Sequence, residues 1–99
     1  MARFDVFRNP GGAGYLVDVQ ANLLSELKTV VVVPLLPLES APRQAARLNP
    51  TLIVNGEACS LLTQFMAAVP KSELKVLVAR LEAQGQTLLE AMDFLHQGW

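Results

Sequence analysis

The groups in this sequence that could carry chemistry are few and scattered. The single histidine, His96, has no Cys or His partner at metal-ligand spacing, so no zinc or other metal site is expected. It lies three residues from the end of a helical stretch and reads as solvent-facing. The single cysteine, Cys59, cannot form an internal disulfide. A reactive thiol needs a positive, exposed neighbourhood. Cys59 instead sits in an apolar-leaning stretch, residues 58–62, and reads as a buried thiol behaving as a small hydrophobe, which fits a reducing cytoplasm. Asp18 is the most interesting carboxylate, because apolar residues flank it on a strand. It is expected to be half-buried with a structural hydrogen bond, and no second group beside it completes an acid–base pair. Gly11-Gly12-Ala13-Gly14 lacks the spacing of a dinucleotide loop and has no following Lys-Ser/Thr, so phosphate binding is not expected. Ser40, Ser60 and Ser72 lack a nucleophile-elbow context. The expectation is a binding protein rather than an enzyme, with no catalytic residue and no cofactor.

Composition says where such a protein would bind. Of the 99 residues, 52% are hydrophobic and 17% charged, against about 45–50% and about 25% in ordinary globular chains. A small domain cannot hide that surplus alone. Membrane insertion does not absorb it: the longest apolar run, Thr29 to Leu38, is interrupted by Pro34 and Pro37, and a spanning helix needs roughly 20 apolar residues. The start of the chain, broken up by Arg3, Asp5 and Arg8, does not read as a signal peptide. A protein interface is left, first with a second copy of the chain. The net charge is −1, with Lys and Arg spread along the sequence. Direct nucleic-acid binding usually leaves a basic footprint, so any effect on DNA is expected to pass through another protein.

The elements that would position these residues read as strands, then a helix. Residues 3–8 alternate polar and apolar, residues 9–14 form a loop, and residues 15–20 form a second strand, so the pair predicts a hairpin. Residues 29–33 are β-branched, which predicts a central strand covered on both faces. Pro34 and Pro37 predict an extended or bulged continuation at an edge. Asn55-Gly56 between apolar runs predicts a tight hairpin, and residues 67–70 a further strand. Residues 71–80 fit a helix or a strand equally. Leu81, Leu88, Met92, Leu95 and Trp99 fall on one helical face, widened by Ala91 and Phe94. Gly85 inside this helix would cost about 1 kcal/mol, which points to a start near it. The chain reads as one domain over residues 1–99: β-rich over 1–76, with a helix at about 80–97.

Four segments in order then resemble the CcdB family. They are Phe4-Asp5-Val6-Phe7; the block Tyr15-Leu16-Val17-Asp18-Val19-Gln20-Ala21-Asn22-Leu23-Leu24; Val31-Val32-Val33-Pro34-Leu35; and Leu62-Thr63-Gln64 leading to Met66-Ala67-Ala68-Val69-Pro70. The likeness runs on through Met92-Asp93-Phe94-Leu95. It implies an SH3-like antiparallel β-barrel or sheet with a C-terminal helix. It implies a homodimeric toxin of a toxin–antitoxin pair that binds the A subunit of DNA gyrase and traps it on cleaved DNA. A cognate antitoxin would reverse this through a disordered C-terminal segment. By matched position, Leu23, Leu24, Asp93, Gln97, Gly98 and Trp99 would meet gyrase, and Met92, Leu95 and Trp99 would form the dimer interface. For Leu23 and Leu24 the alternative is ordinary core packing, and for Trp99 continuation of the apolar helical stripe. The family's tail is Trp-Gly-Ile, whereas here Trp stands last and Gln97 takes its earlier place. A shift of two residues turns a helical side chain by about 200°, which matters for an indole whose stacking on arginine is worth about 0.5–2 kcal/mol. A non-toxic module that keeps the fold and the antitoxin partner is the other reading.

Overall fold

In a computed structural model, which describes residues 2–42 and 45–98, the alternating N-terminal segments form the hairpin they predict. Strand β1 (Asp5–Arg8) pairs antiparallel with β2 (Tyr15–Asp18), Val6 facing Val17 and Arg8 facing Tyr15. The strand starts two residues later than the alternation because Phe4 sits at φ 72°, in the left-handed region. Its N–H is carried off the ladder and donates to the Asp18 carbonyl at 2.6 Å. In the connecting loop Gly14 has φ 82°, and a Cβ there would lie 2.3 Å from the Leu35 carbonyl oxygen. No side chain fits at that position.

The β-branched run becomes β3 (Thr29–Pro37), the spine of the sheet. One edge of β3 pairs with β2 over residues 32–35. The other edge is shared: residues 29–32 pair with β6 (Ala67–Pro70) and residues 35–37 with β5 (Glu57–Leu61), both antiparallel. Pro34 therefore lies inside a central strand, not at the edge its missing donor predicts. Its carbonyl accepts the Leu62 N–H at 2.9 Å, so its nitrogen faces that same side. There the partner changes from β6 to β5, and no ladder bond is forfeited. Both faces of β3 are covered, as expected: Val33 and Leu35 join the main core, Val30 and Val32 a second cluster with Phe7, Leu16 and Leu74.

Strand β4 (Thr51–Val54) and β5 form the Asn-Gly hairpin, with φ 49° at Asn55 and 84° at Gly56. Both signs are those of the predicted tight turn. The ambiguous stretch resolves into a 3-10 turn, Lys71–Glu73, and a strand, β7 (Leu77–Arg80), paired with β1. The β-rich part thus reaches Arg80 rather than 76. The sheet runs β4-β5-β3-β2-β1-β7 and curls into a half-barrel. Side chains bridge its two ends. The Asn55 amide donates to the Val78 carbonyl at 2.9 Å, and the Gln84 amide both donates to the Ile53 carbonyl and accepts its N–H, at 3.1 Å each.

Helix α1 (Gly85–Gln97) closes the concave face, starting at Gly85 rather than near 80. A Cβ on Gly85 would stand 2.7 Å from Cε2 of Phe4, so the glycine is where the helix meets the N-terminal ring. Leu88 and Ala91 are buried with Leu81 in the main core. Removing a leucine side chain from water is worth about 1.5–3 kcal/mol. No helix among the described residues is long and apolar enough to cross a membrane.

Candidate functional site

The matched residues fall in two separate places. Leu23 and Leu24 belong to the loop between β2 and β3, on a 3-10 turn, Asn22–Leu24. Every residue from Ala21 to Thr29 is exposed. Leu23 is 91% exposed and Leu24 47%, so neither is core packing, and Leu27, which the sequence reading did not single out, projects beside them at 48%. Three exposed leucines in one short loop are a cost in water unless something covers them. The loop is nevertheless held in shape. The Gln20 side chain reaches across it, donating to the carbonyls of Leu24 and Thr29 at 3.2 and 3.3 Å and accepting the Val31 N–H at 3.3 Å. Asn22 Oδ1 accepts the Arg3 N–H at 2.7 Å, and the Lys71 ammonium donates to the Ser25 carbonyl.

Behind the loop lies a buried acidic pair. Asp18 is only 4% exposed, deeper than the half-burial expected, and its Oδ1 accepts the Gln20 N–H at 2.9 Å, the structural bond expected of it. Burial is the main cause that pushes its carboxyl above the usual range. The Gln20 N–H pulls the other way, and Asp5 adds a smaller upward push. Asp5, also buried, accepts the Ala2 N–H at 2.9 Å and faces Arg80 Nε at 3.6 Å. A carboxylate so enclosed orients the chain that bears the leucines.

The second place is the end of α1. Asp93 is exposed and lines a cleft of about 510 Å³ with Arg47, Thr87 and Glu90. The Arg47 guanidinium lies 4.5 Å from the centre of the Phe94 ring. Gln97 and Gly98 are exposed, and Gly98 at φ 81° ends the helix in the left-handed cap, donating to the Phe94 carbonyl at 2.8 Å. Met92 packs partly against the chain's own core, while Leu95 is 38% exposed. Trp99 lies outside the described residues. No hydrogen bond that holds the leucine loop touches this end of the helix. His96 is solvent-facing as expected, with Nδ1 2.8 Å from the Met92 carbonyl oxygen. Cys59 is fully buried, and burial pushes its thiol pKa up.

Two clefts flank the turn at residues 71–73, one of them bordered by the leucine loop, and sequence reading missed both. One, of about 620 Å³, is lined by Glu26, Leu27, Lys28, Pro70, Lys71 and Ser72. The other, of about 470 Å³, is lined by Arg8, Pro10, Ser72, Glu73, Lys75 and Val76. Their cations come from distant stretches of sequence, so no linear cluster could have announced them.

The model of the CcdB protein family matches residues 3–98. No curated protein matches the chain. Among solved structures, an endoribonuclease in complex with its cognate antitoxin, from a mycobacterial species, shares the fold with a TM-score of 0.80 at 18% identity, covering 100% of this chain and 98% of that one. A mycobacterial endoribonuclease follows at 0.75 and 18%, covering 100% and 94%. An Mtb toxin follows at 0.69 and 16%, covering 88% and 94%. These likenesses correct one expectation: that the chain is a binder and not an enzyme does not stand, because the structures sharing this fold from end to end include ribonucleases.

Proposed function

The chain belongs to the CcdB family, and from that premise we propose that it is the toxin of a toxin–antitoxin pair, docking as a homodimer on the A subunit of DNA gyrase and released by an antitoxin. The observation that carries this reading is the leucine loop: Leu23, Leu24 and Leu27 are exposed, yet Gln20 fixes the backbone beneath them. A preformed apolar projection loses little conformational freedom on docking. The helix end with Asp93, Gln97 and Gly98 supplies the second contact, and Trp99 follows it in sequence. For the dimer, exposed Leu95 on α1 and exposed Phe65, on the 3-10 turn Thr63–Phe65 that packs on α1, offer apolar area. The test is capture of purified gyrase A and inhibition of supercoiling by the intact chain. Leu23→Asp with Leu24→Asp should abolish both while thermal unfolding stays put; unchanged capture would remove the loop from the contact.

A second reading, RNA cleavage, is favoured by the fold shared with mycobacterial endoribonucleases. Asp18 is too enclosed to serve as a base. The cleft holding Glu26, Lys28 and Lys71 combines a carboxylate with two ammonium groups. Metal-free attack of a ribose 2′-hydroxyl on the adjacent phosphorus breaks the bond to the next nucleotide's 5′-oxygen; the carboxylate would take the hydroxyl proton, and an ammonium would stabilise the phosphorane charge and protonate the leaving oxygen. Incubation of the chain with RNA lacking secondary structure, with Glu26→Gln and Lys28→Ala as controls, separates this reading from gyrase docking. Specific cuts lost in both variants support it.

A further inference from the structure

Strand β6 pairs with β3 so that Thr29 faces Pro70. One step beyond that pair, the Lys71 N–H donates to the Lys28 carbonyl at 2.9 Å. The chain then leaves the ladder in the 3-10 turn Lys71–Glu73, and the Lys71 ammonium reaches back to donate to the Ser25 carbonyl. One residue thus grips the leucine loop at two points, Ser25 and Lys28, and Leu27 lies between them. Gln20, which follows β2 on the opposite edge of β3, grips the loop further apart, at Leu24 and Thr29. Asp18 shares with Lys71, Gln20, Asn22 and Ser25 a cavity of about 10 Å³, with room for no more than one water. Asp18 is buried, so a carboxylate on this floor draws the ammonium inward.

What this residue holds is not core. Every residue from Ala21 to Thr29 is exposed, and Lys71 belongs to neither hydrophobic cluster. Among the described residues the one ion pair is Arg80 with Asp5, so the Lys71 charge is directed at the loop's backbone rather than at a carboxylate partner. Resting on the gyrase-docking reading above, we infer that Lys71 is a positioning residue for partner capture. It acts through the loop, setting the direction in which Leu27 and its neighbours project. A loop that samples several shapes docks only from the competent one, and the apparent dissociation constant rises by the inverse of that fraction. A bond from an ammonium to a carbonyl is charge-assisted and stronger than a neutral one, which suits a clamp exposed to water.

The test compares the full chain with three variants. Lys71→Met keeps the aliphatic length and loses the donor, and Lys71→Arg keeps a charged donor. Lys75→Met is an equal loss of charge on the exposed connection before β7. Amide exchange of the free chain is followed at Leu24, Ser25 and Leu27, whose N–H groups donate to the carbonyls of Ala21, Asn22 and Leu24. In Lys71→Met these three should exchange about tenfold faster, while Val31, bonded to Gln20, keeps its rate and the thermal midpoint does not move. Capture of purified gyrase A should weaken about fivefold or more. Lys71→Arg should restore both, and Lys75→Met should change neither. A lysine serving only the global fold would instead lower the midpoint and speed exchange at Val31 and in α1, and that pattern overturns the inference. So does unchanged exchange in Lys71→Met, undiminished capture by a loosened loop, or equal weakening in Lys75→Met, the mark of a long-range charge effect. Each of those failures spares the docking reading. A wild-type chain that captures no gyrase A removes that reading, and the clamp's part in it, together.

Discussion

The loop between β2 and β3 and the helix α1 both display leucines, and they hold them in opposite ways. In α1, Leu88 is fully buried and its neighbours are apolar. In the loop, Leu23 is almost fully exposed, and what surrounds it is a frame of polar bonds from Gln20, Asn22 and Lys71. Apolar burial stabilises the fold, whereas the polar frame fixes the shape of something the fold leaves uncovered. Packing and display are thereby separated between residues of the same type, and substitutions can test the separation.

The largest effect should come from Leu88→Ala, which empties a closed site and should cost about 2–5 kcal/mol in chemical denaturation. Leu23→Ala should move the same midpoint by less than about 0.5 kcal/mol while reducing partner capture. If the two losses of stability were alike, the contrast would fail. Gly85→Ala removes the helix penalty of glycine but drives a methyl into the Phe4 ring. The clash should win and leave a net destabilisation of about 1–2 kcal/mol in thermal melts. Gln20→Ala strips three hydrogen bonds from the loop and should cost about 1 kcal/mol, with amide exchange rising over residues 21–31 and little change in α1. Gly98→Ala should cost about 1 kcal/mol or less, for a non-glycine residue in the left-handed cap; helical signal should be lost only from the last turn.

Asp18 sharpens the contrast by pH. Its folded pKa is raised above the ordinary value of 3.8, chiefly by burial. The folded state thus holds the proton more tightly than the unfolded state. The stability Asp18 contributes is fully present below that ordinary value and is lost as pH rises through the folded pKa. Asp18→Asn, which keeps an oxygen for the Gln20 N–H, should flatten this part of a stability–pH curve; a curve of unchanged slope would show that another group sets it.

Much of the fold was legible because its signals are local. The alternation at residues 3–8, the β-branched run at 29–33 and Asn55-Gly56 each dictate structure from their own neighbourhood. Pro34 misled because its tolerance depends on where two other strands end against β3, which no window around residue 34 contains. Residues 71–80 stayed open because Leu74 and Leu77 suit either period; pairing with β1 decides for a strand. Helix α1 was readable as a stripe, but Leu95 shares that stripe and is exposed, so periodicity alone did not separate packing from display. At the candidate site, the block ending in Leu23 and Leu24 stood out only through family resemblance. The two clefts left no trace in the sequence, since Arg8 and Lys75 line one and Lys28 and Lys71 the other only once the chain has folded.

The curl has one more consequence. Its first and last strands are joined by Asn55 and Gln84, whose amides occupy the backbone groups of Val78 and Ile53. An open β-ribbon invites a stranger's strand to extend it. Here the side chains of a turn and of a helix approach stand in for that missing neighbour at Val78 and Ile53. A Gln84→Ala chain would lose that guard at Ile53 and become the variant in which slow polymerisation should first be seen.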